Sequence, residues 1–125
     1  MNLLLDTHIL LWWLSDPEKL TPEVRSLIRD GNNTVYVSSV VAWEIAIKKS
    51  LGKLKAPDNL GEIIREENFT PLNITVSHAL NITSLENHHA DPFDRMLVSQ
   101  AQIESLTIVT RDANISKYPV TMIRG

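Results

Sequence analysis

The chain of 125 residues contains no cysteine. Disulfide bonds, thiolate metal sites and cysteine nucleophiles are therefore excluded. A long apolar run is also missing, since the longest one, around Ile9–Leu14, is far below the roughly 20 residues that a membrane-spanning helix needs. No basic, apolar and small-residue leader opens the sequence. We therefore expect a cytoplasmic protein that does not associate with membranes.

Positive charge is scarce as well. Twelve Lys and Arg against 15 Asp and Glu give a net charge of −3. Nucleic-acid binding usually requires a basic surface, so this balance argues mildly against such a partner. The objection weakens if several carboxylates surround a divalent cation, because the ion reverses the sign of the local field. Four lysines also cluster within positions 48–55, so composition alone leaves the partner open.

The chain has enough apolar residues, 43%, for a sizeable core, and its length suits a single domain over residues 1–125. Short apolar runs alternate with helical patterns. We expect strands at residues 2–5, 34–37, 69–74, 107–109 and 120–123, and helices at 8–14, 22–31, 39–51, 60–68, 76–85 and 92–105. Strands separated by helices imply right-handed crossovers and a mostly parallel sheet covered on both faces. The predicted fold class is α/β.

Four acids lie at or just after the predicted strand ends, although they are far apart in the sequence. Asp6 closes the first strand, and Asp112 lies just beyond the strand at 107–109. Glu44 lies in the first turns of the helix after the second strand, and Asp94 lies in the first turn of its own helix. Functional sites of parallel sheets lie outside the carboxyl ends of the strands. We therefore expect all four carboxylates at one edge of the sheet.

Carboxylates gathered in one pocket repel one another, so without a cation some of them would have to be protonated. Oxygen ligands without cysteine favour Mg²⁺, with Mn²⁺ as the alternative, and such ions usually retain water ligands. One or two ions of this kind can activate water and stabilise the leaving oxygen of a phosphodiester. The four acids therefore indicate metal-dependent hydrolysis at a phosphate.

Each acid also has a purely structural interpretation. Asp91 precedes a proline and is expected to be the N-cap of its helix, which we favour over a ligand role. Asp94 is then at the N3 position, where an acid complements the helix dipole. Glu44 could likewise favour its own helix, and Asp112 belongs to a segment of turn composition. Asp6 is the hardest to explain in this way, because Thr7 is available to cap the first helix.

Adjacent His88 and His89, followed by Asp91 and Asp94, have a spacing that zinc ligands use. Neighbouring side chains usually diverge, and we expect this loop to be exposed, so zinc is the less favoured metal. His8 is expected to pack or to form hydrogen bonds rather than to act as a general base.

These motifs together resemble the PIN-domain toxins of the VapC type. The front half matches over three segments: Asp6-Thr7-His8 followed by Leu10-Leu11-Trp12, then Trp43-Glu44-Ile45-Ala46-Ile47-Lys48, then Gly52-Lys53-Leu54. The back half matches over four: His89, then Asp91-Pro92-Phe93-Asp94-Arg95-Met96-Leu97, then Gln100-Ala101, then Val109-Thr110-Arg111-Asp112. The matches follow the order of the family over nearly the whole chain, which makes the combination specific.

The resemblance implies a PIN fold, which is a three-layer α/β/α sandwich with a mostly parallel sheet of four or five strands. It implies an Mg²⁺- or Mn²⁺-dependent endoribonuclease that is the toxin of a toxin–antitoxin pair and inhibits translation and growth. The implied partners are an RNA substrate, a small antitoxin whose C-terminal segment lies in the catalytic groove, and a second copy of the chain in a homodimer.

By position, the resemblance assigns the three core acids of the family to Asp6, Glu44 and Asp94, and the fourth acid to Asp112. It assigns contact with the substrate or support of the acids to a further set of side chains, namely Thr7, Lys48, Asp91, Arg95, Thr110 and Arg111. Two positions depart from the family pattern. A Ser or Thr often lies three residues before the Glu, where this chain has Val41, and an aromatic residue often follows the fourth acid, where this chain has Ile115. Both departures affect local packing and hydrogen bonding rather than the acids.

Two alternatives differ in class. A receiver-like signalling domain is also α/β and binds Mg²⁺ with acids at a strand edge, but its pattern has a pair of acids after the first strand, a phospho-accepting Asp after the third and a Lys after the fifth. This chain has a single Asp6 after the first strand, no acid in the region 69–74 and no such Lys. A PIN-like scaffold that binds RNA or protein without cleavage is the other alternative. The complete acidic set argues against it, because a degenerate relative is expected to lose an acid.

Overall fold

Five strands and six α-helices alternate along the chain, as the apolar runs predict. The computed structural model describes residues 1–125. Its strands are β1 (Asn2–Leu5), β2 (Thr34–Ser38), β3 (Thr70–Leu72), β4 (Thr107–Thr110) and β5 (Met122–Arg124). Its helices are α1 (Thr7–Ser15), α2 (Pro22–Arg29), α3 (Ser39–Ser50), α4 (Leu60–Glu66), α5 (Val76–Asn81) and α6 (Pro92–Glu104). No helix combines the length and the apolar character that crossing a membrane requires.

The strands form one sheet in the order β3-β2-β1-β4-β5, and every neighbouring pair is parallel. The predicted α/β class is therefore confirmed. From β1 the chain adds β2 and β3 on one side of the sheet, and then crosses to add β4 and β5 on the other side. The direction of winding thus reverses between β1 and β4. In open parallel sheets a crevice forms at the carboxyl ends of the strands at such a reversal.

The centre of the sheet is the most deeply buried part of the molecule. Leu3, Leu4 and Leu5 of β1 have no exposed surface, and neither have Ile108 and Val109 of β4. Consecutive side chains of a strand point to opposite faces, so both faces of these two strands are covered by helices. This burial explains why the sequences of the two strands contain unbroken runs of apolar residues. It also holds the crevice between them in a rigid frame.

Hydrogen bonds at the helix starts confirm the predicted cap of α6 and correct the prediction for α1. Asp91 is the N-cap of α6, and Thr21 and Thr75 cap α2 and α5. The prediction that Thr7 caps α1 is wrong, because the Asp6 carboxylate accepts the Ile9 backbone N–H at 3.0 Å. Thr7 is instead the first residue of α1, and its hydroxyl donates a hydrogen bond to the Glu44 carboxylate.

Several element ends also differ from the prediction. The helix α4 ends at Glu66 rather than Asn68, because Asn68 takes a left-handed conformation with φ of 60°. The helix α5 ends at Asn81 and is followed by a separate 3₁₀ turn, Ile82–Ser84. The strand β3 is short and contains Pro71, which an edge strand tolerates because one side of its backbone needs no partner.

Candidate active site

The predicted acids converge on one pocket of about 430 Å³ at the carboxyl ends of β1 and β4, where the winding of the sheet reverses. Asp6, Glu44, Asp94 and Asp112 all line it. The remaining lining residues are Thr7, His8, Trp12, Lys48, Asp91 and Arg111. The structure therefore brings together the four acids that the sequence placed at one edge. Of the predicted supporting residues, Thr110 and Arg95 do not line the pocket.

Asp6 is fixed between the two central strands. Its backbone N–H donates to the Val109 carbonyl at 3.1 Å. One carboxylate oxygen accepts the Ile9 N–H, and the other accepts the hydroxyl of Thr110. The residue is buried at the floor of the pocket. A carboxylate oxygen has two lone pairs, so each oxygen retains one acceptor site beyond these bonds.

Glu44 enters the pocket from α3, which starts directly after β2. The helix is capped by Ser38, whose hydroxyl accepts the Val40 N–H at 3.0 Å. The buried Glu44 carboxylate is held on both oxygens. The Thr7 hydroxyl donates to Oε1 at 2.5 Å, and Lys48 Nζ donates to Oε2 at 2.5 Å. Thr7, predicted to support the acids, therefore positions Glu44.

Asp94 is oriented by Asp91, the N-cap of its own helix. The Asp91 carboxylate accepts the backbone N–H groups of Phe93 at 2.9 Å and Asp94 at 3.1 Å. This geometry agrees with the structural interpretation of Asp91 as an N-cap, although Asp91 also borders the pocket. The first turn of α6 then presents the Asp94 side chain to the pocket, which Asp112 also lines.

Thr110 links two of the acids from below the pocket. At the end of β4 its hydroxyl donates to Asp6 and accepts the Asp112 backbone N–H at 3.0 Å. Asp112 also accepts the Asn114 N–H at 2.9 Å, so it stabilises a turn while it lines the pocket. The turn interpretation and the site interpretation of Asp112 are thus compatible.

A chain of hydrogen bonds behind Asp94 was not foreseen from the sequence. His89 Nε2 lies 3.2 Å from Asp94 Oδ2, and His89 Nδ1 lies 2.9 Å from the Tyr118 hydroxyl. Arg95 donates to that hydroxyl at 3.0 Å. Because Arg95 supplies a proton donor to the Tyr118 oxygen, the hydroxyl can donate to Nδ1 and leave Nε2–H for Asp94. Arg95 therefore reaches the acids through Tyr118 and His89 rather than directly.

The expectation that the His88–His89 loop is exposed is wrong for His89, whose side chain is 13% exposed. The two rings do not diverge as expected, because both pack against Tyr118, with centroid distances of 4.8 Å for His88 and 5.5 Å for His89, but their polar partners differ. His88 faces Glu86, whereas His89 faces Asp94. The position of His89 shortly before the Asp91–Asp94 motif was the one sequence feature that could have indicated its contact with Asp94. Nothing in the sequence indicated that Tyr118 lies beside His89.

One wall of the pocket consists of Arg111 stacked on Trp12. The guanidinium carbon lies 4.4 Å from the centroid of the Trp12 ring. Arg111 also donates to the Gly125 carbonyl at 2.8 Å and to the Lys19 carbonyl, which fixes its orientation. The sequence placed Arg111 beside an acid but did not indicate Trp12 as a pocket residue.

Burial and mutual repulsion shift two of the pocket acids, Asp94 and Asp6, toward their protonated forms. Burial, followed by the charge of Asp91 and the hydrogen bond and charge of Asp112, raises the pKa of Asp94 to about 8. Burial also raises the pKa of Asp6, against the opposing effect of its Thr110 and Ile9 hydrogen bonds. These shifts are expected of carboxylates that share a pocket without a cation.

The donor set fits a hard divalent cation. Four carboxylates offer the oxygen ligands that Mg²⁺ and Mn²⁺ prefer, and the raised pKa of Asp94 marks a deficit of positive charge. In the present side-chain arrangement, no three His, Cys, Asp or Glu residues form a ready-made metal cage. Both oxygens of Glu44 are directed to Thr7 and Lys48. Binding of an ion through Glu44 therefore requires a rotation of side chains.

A family model described as the PIN domain matches residues 3–120. The chain belongs to the PIN-domain family. Among its curated relatives, Ribonuclease VapC22 of Mycobacterium tuberculosis is 24% identical over 97% of this chain and 98% of its own length. Ribonuclease VapC16 of the same organism is 33% identical over 45% of this chain and 43% of its own.

Solved structures share the fold. VapBC2 from Rickettsia felis bound to a promoter DNA fragment matches with a TM-score of 0.72 at 18% identity, over 98% of both chains. DNA-bound VapBC from Salmonella typhimurium matches with a TM-score of 0.73 at 15% identity, over 98% of this chain and 97% of that one. FitAcB from Neisseria gonorrhoeae gives a TM-score of 0.69 at 20% identity, over 98% and 96%. The predicted PIN fold is thereby confirmed.

Proposed function

We propose that this chain is a divalent-metal-dependent endoribonuclease and the toxin of a toxin–antitoxin pair. The observation that carries the proposal is the convergence of Asp6, Glu44, Asp94 and Asp112 on one pocket at the reversal of a parallel sheet. Membership of the PIN family and the ribonuclease relatives support the same activity.

In this proposal the four acids hold Mg²⁺, or Mn²⁺ in its place, together with the water ligands that such ions retain. The bound ion supplies activation of water and stabilisation of the leaving oxygen in phosphodiester hydrolysis. Thr110 fixes the Asp6 carboxylate, Thr7 fixes that of Glu44, and the Asp91 cap directs Asp94. These contacts limit the freedom of the three carboxylates, while the final binding geometry still requires the side-chain rotation at Glu44.

Two cationic side chains on the pocket wall are placed to bind the phosphate of an RNA substrate. Arg111 is held by backbone carbonyls and by Trp12, so its guanidinium has a fixed orientation. Lys48 is one-third exposed and is paired with Glu44. Arg95 acts at a distance, by orienting Tyr118 and through it His89. This arrangement offsets the net negative charge of the chain at the place where a phosphate would bind.

We further propose that a small cognate antitoxin binds the catalytic groove, and that the chain acts as a cytoplasmic homodimer whose RNA cleavage inhibits translation and growth. A solved structure of the same fold from Klebsiella pneumoniae is a toxin–antitoxin complex, which supports a protein partner of this kind. An apolar groove of about 630 Å³ between α3 and α4 offers additional contact area to such a partner. Co-purification with the product of a short neighbouring gene, followed by loss of RNA cleavage on complex formation, tests this part.

Metal add-back tests the enzymatic part. The purified protein is treated with EDTA, dialysed and incubated with a pool of single-stranded RNA without metal, and with Mg²⁺, Mn²⁺ or Ca²⁺. We expect no cleavage without metal, and discrete cleavage products with Mg²⁺ or Mn²⁺. Equal cleavage in the presence of EDTA would rule out the proposed chemistry. Intact RNA under every condition, with proven RNA binding, would favour the alternative of a scaffold that does not cleave.

The receiver-like alternative disagrees with the topology. A receiver-type sheet has the strand order 2-1-3-4-5, whereas this sheet has the order β3-β2-β1-β4-β5. The residue after β3 in a receiver is the phospho-acceptor Asp, but no acid follows β3 here before α5 begins. The strand order and the PIN family match therefore exclude a receiver.

A further inference from the structure

Lys48 already forms an ion pair with one of the pocket acids, with Nζ 2.5 Å from Glu44 Oε2. A Glu–Lys pair four residues apart on an exposed helix face is common and only weakly stabilising. This pair is different, because the Glu44 side chain is only 7% exposed. Its other oxygen accepts the Thr7 hydroxyl. The chain thus satisfies both oxygens of Glu44 from its own side chains.

The ammonium of Lys48 also lies in the field of acids from another helix. The hydrogen bond to Glu44 raises the pKa of Lys48 most, and the charges of Glu44, Asp91 and Asp94 raise it further. Asp91 and Asp94 belong to the N-terminal end of α6, so this cation is surrounded by pocket acids on two sides. Lys48 therefore supplies a positive charge to the pocket when no other cation is present.

While it contacts Glu44, the Lys48 ammonium already lies near an aromatic ring, so it can leave Glu44 and stay beside that ring. The Lys48 side chain is 34% exposed, so it can rotate outward without disrupting the core. Its Nζ lies 5.8 Å from the centroid of the Phe93 ring, whose face attracts cations. Phe93 is in turn braced edge-on by Trp43, with ring centroids 5.2 Å apart. An aromatic surface at the rim is thus available to the ammonium if it leaves Glu44.

A divalent ion and the Lys48 ammonium compete for the charge of Glu44, although each carboxylate oxygen has two lone pairs. An Mg²⁺ ion at about 2.1 Å from Oε2 would lie only about 4 Å from an ammonium that still contacts the same oxygen. Repulsion between the two cations is strong at such a separation in a partly buried pocket. Entry of the ion therefore displaces Lys48 from Glu44.

We propose that Lys48 is a tethered cation that occupies the Glu44 side of the pocket in the metal-free protein and exchanges with the divalent ion. On exchange, its ammonium moves to the rim beside Phe93, where it is free to contact a substrate phosphate. Lys48 is then a positioning residue that sets the metal affinity and couples metal binding to substrate binding. This inference depends on the proposed metal site, and it adds a competitor for that site within the chain.

Mn²⁺ affinity, measured by calorimetry without RNA, tests the exchange. The variants are Lys48→Met, which keeps the length of the side chain without its charge, and Lys49→Met as the matched control. Lys49 is on the same helix but pairs with exposed Asp58 away from the pocket. We expect Lys48→Met to bind Mn²⁺ about tenfold more tightly than the wild type, and Lys49→Met to stay within about twofold. Equal or weaker binding by Lys48→Met would refute the inference.

The side-chain ammonium signals of the wild type give a second readout that does not depend on a variant folding. In the metal-free protein, the Lys48 signal is expected to be sharp, because the ammonium is held by Glu44. Saturation with diamagnetic Mg²⁺ should shift that signal and leave the signal of Lys49 in place. A Lys48 signal that is unchanged at saturating Mg²⁺ would overturn the exchange.

Failure of the inference can be distinguished from failure of the proposed function. If the wild type binds Mn²⁺ and cleaves RNA, but Lys48→Met gains no affinity, only the role of Lys48 is lost. If the wild type binds neither Mn²⁺ nor Mg²⁺, both the metal-dependent function and the exchange are wrong.

A thermal melt in EDTA is an independent test of the role of Lys48. Lys48→Met should melt below the wild type there, because buried Glu44 loses its cation, and should recover in saturating Mn²⁺.

Discussion

At the scale of single residues, each pocket acid has its own hydrogen-bond donors. Asp6 uses Thr110 and a backbone N–H, Glu44 uses Thr7 and Lys48, and Asp94 faces His89. The acids nevertheless differ in how well their charges are compensated. Glu44 has a direct cationic partner, whereas Asp94 lies in the field of three further acids, Asp91, Asp112 and Asp6, and has a pKa of about 8. The protonation state of Asp94 should therefore respond to a bound cation.

Replacement of Asp94 by Asn should stabilise the metal-free protein at high pH. The pKa of Asp94 is about 8 in the folded protein and lies above the ordinary value of 3.8, so the folded state binds the proton more tightly than the unfolded state. The stability of the wild type therefore falls as pH rises between these two values. Asn cannot ionise and escapes this loss, so the gain of Asp94→Asn should be largest near pH 8 and small below about pH 4. Thermal melts in EDTA across this range measure it.

Asp58→Asn is the matched control for that experiment. Asp58 is fully exposed, and its hydrogen bond with Lys49 lowers its pKa, so its removal should not stabilise the protein at any pH. A strong loss of stability for Asp94→Asn near pH 8 would contradict the expected sign. It would show that the role of Asp94 in the first turn of α6 outweighs the repulsion in the pocket.

Metal binding near pH 7 should release close to one proton. Because the pKa of Asp94 is about 8, this carboxyl is mostly protonated at that pH in the metal-free protein. A divalent ion can use it as a ligand only in the deprotonated form, so binding and proton release are linked. Titration of Mn²⁺ in two buffers of different ionisation enthalpy gives the number of protons. Release of none near pH 7 would indicate that Asp94 does not ligate the ion.

At the scale of elements, α3 connects the sheet to the site. The helix begins at the end of β2 through the Ser38 cap, and it carries both Glu44 and Lys48 one turn apart. The Ser38 hydroxyl also donates to buried Gln100 of α6 at 2.6 Å. One serine thus couples α3 and α6, the two helices that bring Glu44 and Asp94 to the pocket.

Ser38→Ala should therefore destabilise the folded protein by more than the loss of an ordinary N-cap does. The change removes the acceptor for the Val40 N–H and leaves the buried Gln100 oxygen without its donor. We expect the free energy of unfolding to fall by about 1–3 kcal/mol. Urea denaturation measures the change, with Ser50→Ala at the exposed end of α3 as the control. A loss as small as the control, below about 0.5 kcal/mol, would show that the contact with Gln100 does not couple the helices.

The type of most elements was predictable because their signals are local. The cap Asp91 and the following proline define the start of α6, and the unbroken apolar runs define β1 and β4. The strand β5 was expected at residues 120–123, but it extends over Met122–Arg124. Its position depends on pairing with β4, where Ile108 lies opposite Met122, and no local signal encodes that register.

At the scale of the whole molecule, the topology determines the location of the pocket. Asp6 and Asp112 follow β1 and β4, the adjacent strands between which the winding reverses. The sequence allowed this convergence to be predicted, since acids after parallel strands share one edge. It did not allow the contact of His89 with Tyr118 or the docking of Trp12 on Arg111 to be predicted. These pairs are distant in sequence, and only the folded chain brings them together.

The distribution of charge over the molecule removes the initial objection to RNA as a substrate. The net charge is −3, yet four of the acids are concentrated in the pocket, where a divalent ion would reverse the sign of the field. Lys48 and Arg111 lie on the walls of the same pocket. The negative balance of the chain is thus in part a property of the candidate active site.

The central claim is that the four acids form one metal-dependent ribonuclease centre, and Asp6→Asn tests it most directly. Asn also caps helices well, so this variant should retain the start of α1 while it loses the carboxylate. The measurement is the single-turnover rate of cleavage of a labelled RNA in saturating Mg²⁺, with Asp58→Asn as the control and circular dichroism to verify folding. The account predicts that Asp6→Asn loses more than about a hundredfold in rate, whereas Asp58→Asn retains the rate of the wild type. A folded Asp6→Asn protein that cleaves at the wild-type rate would contradict the account.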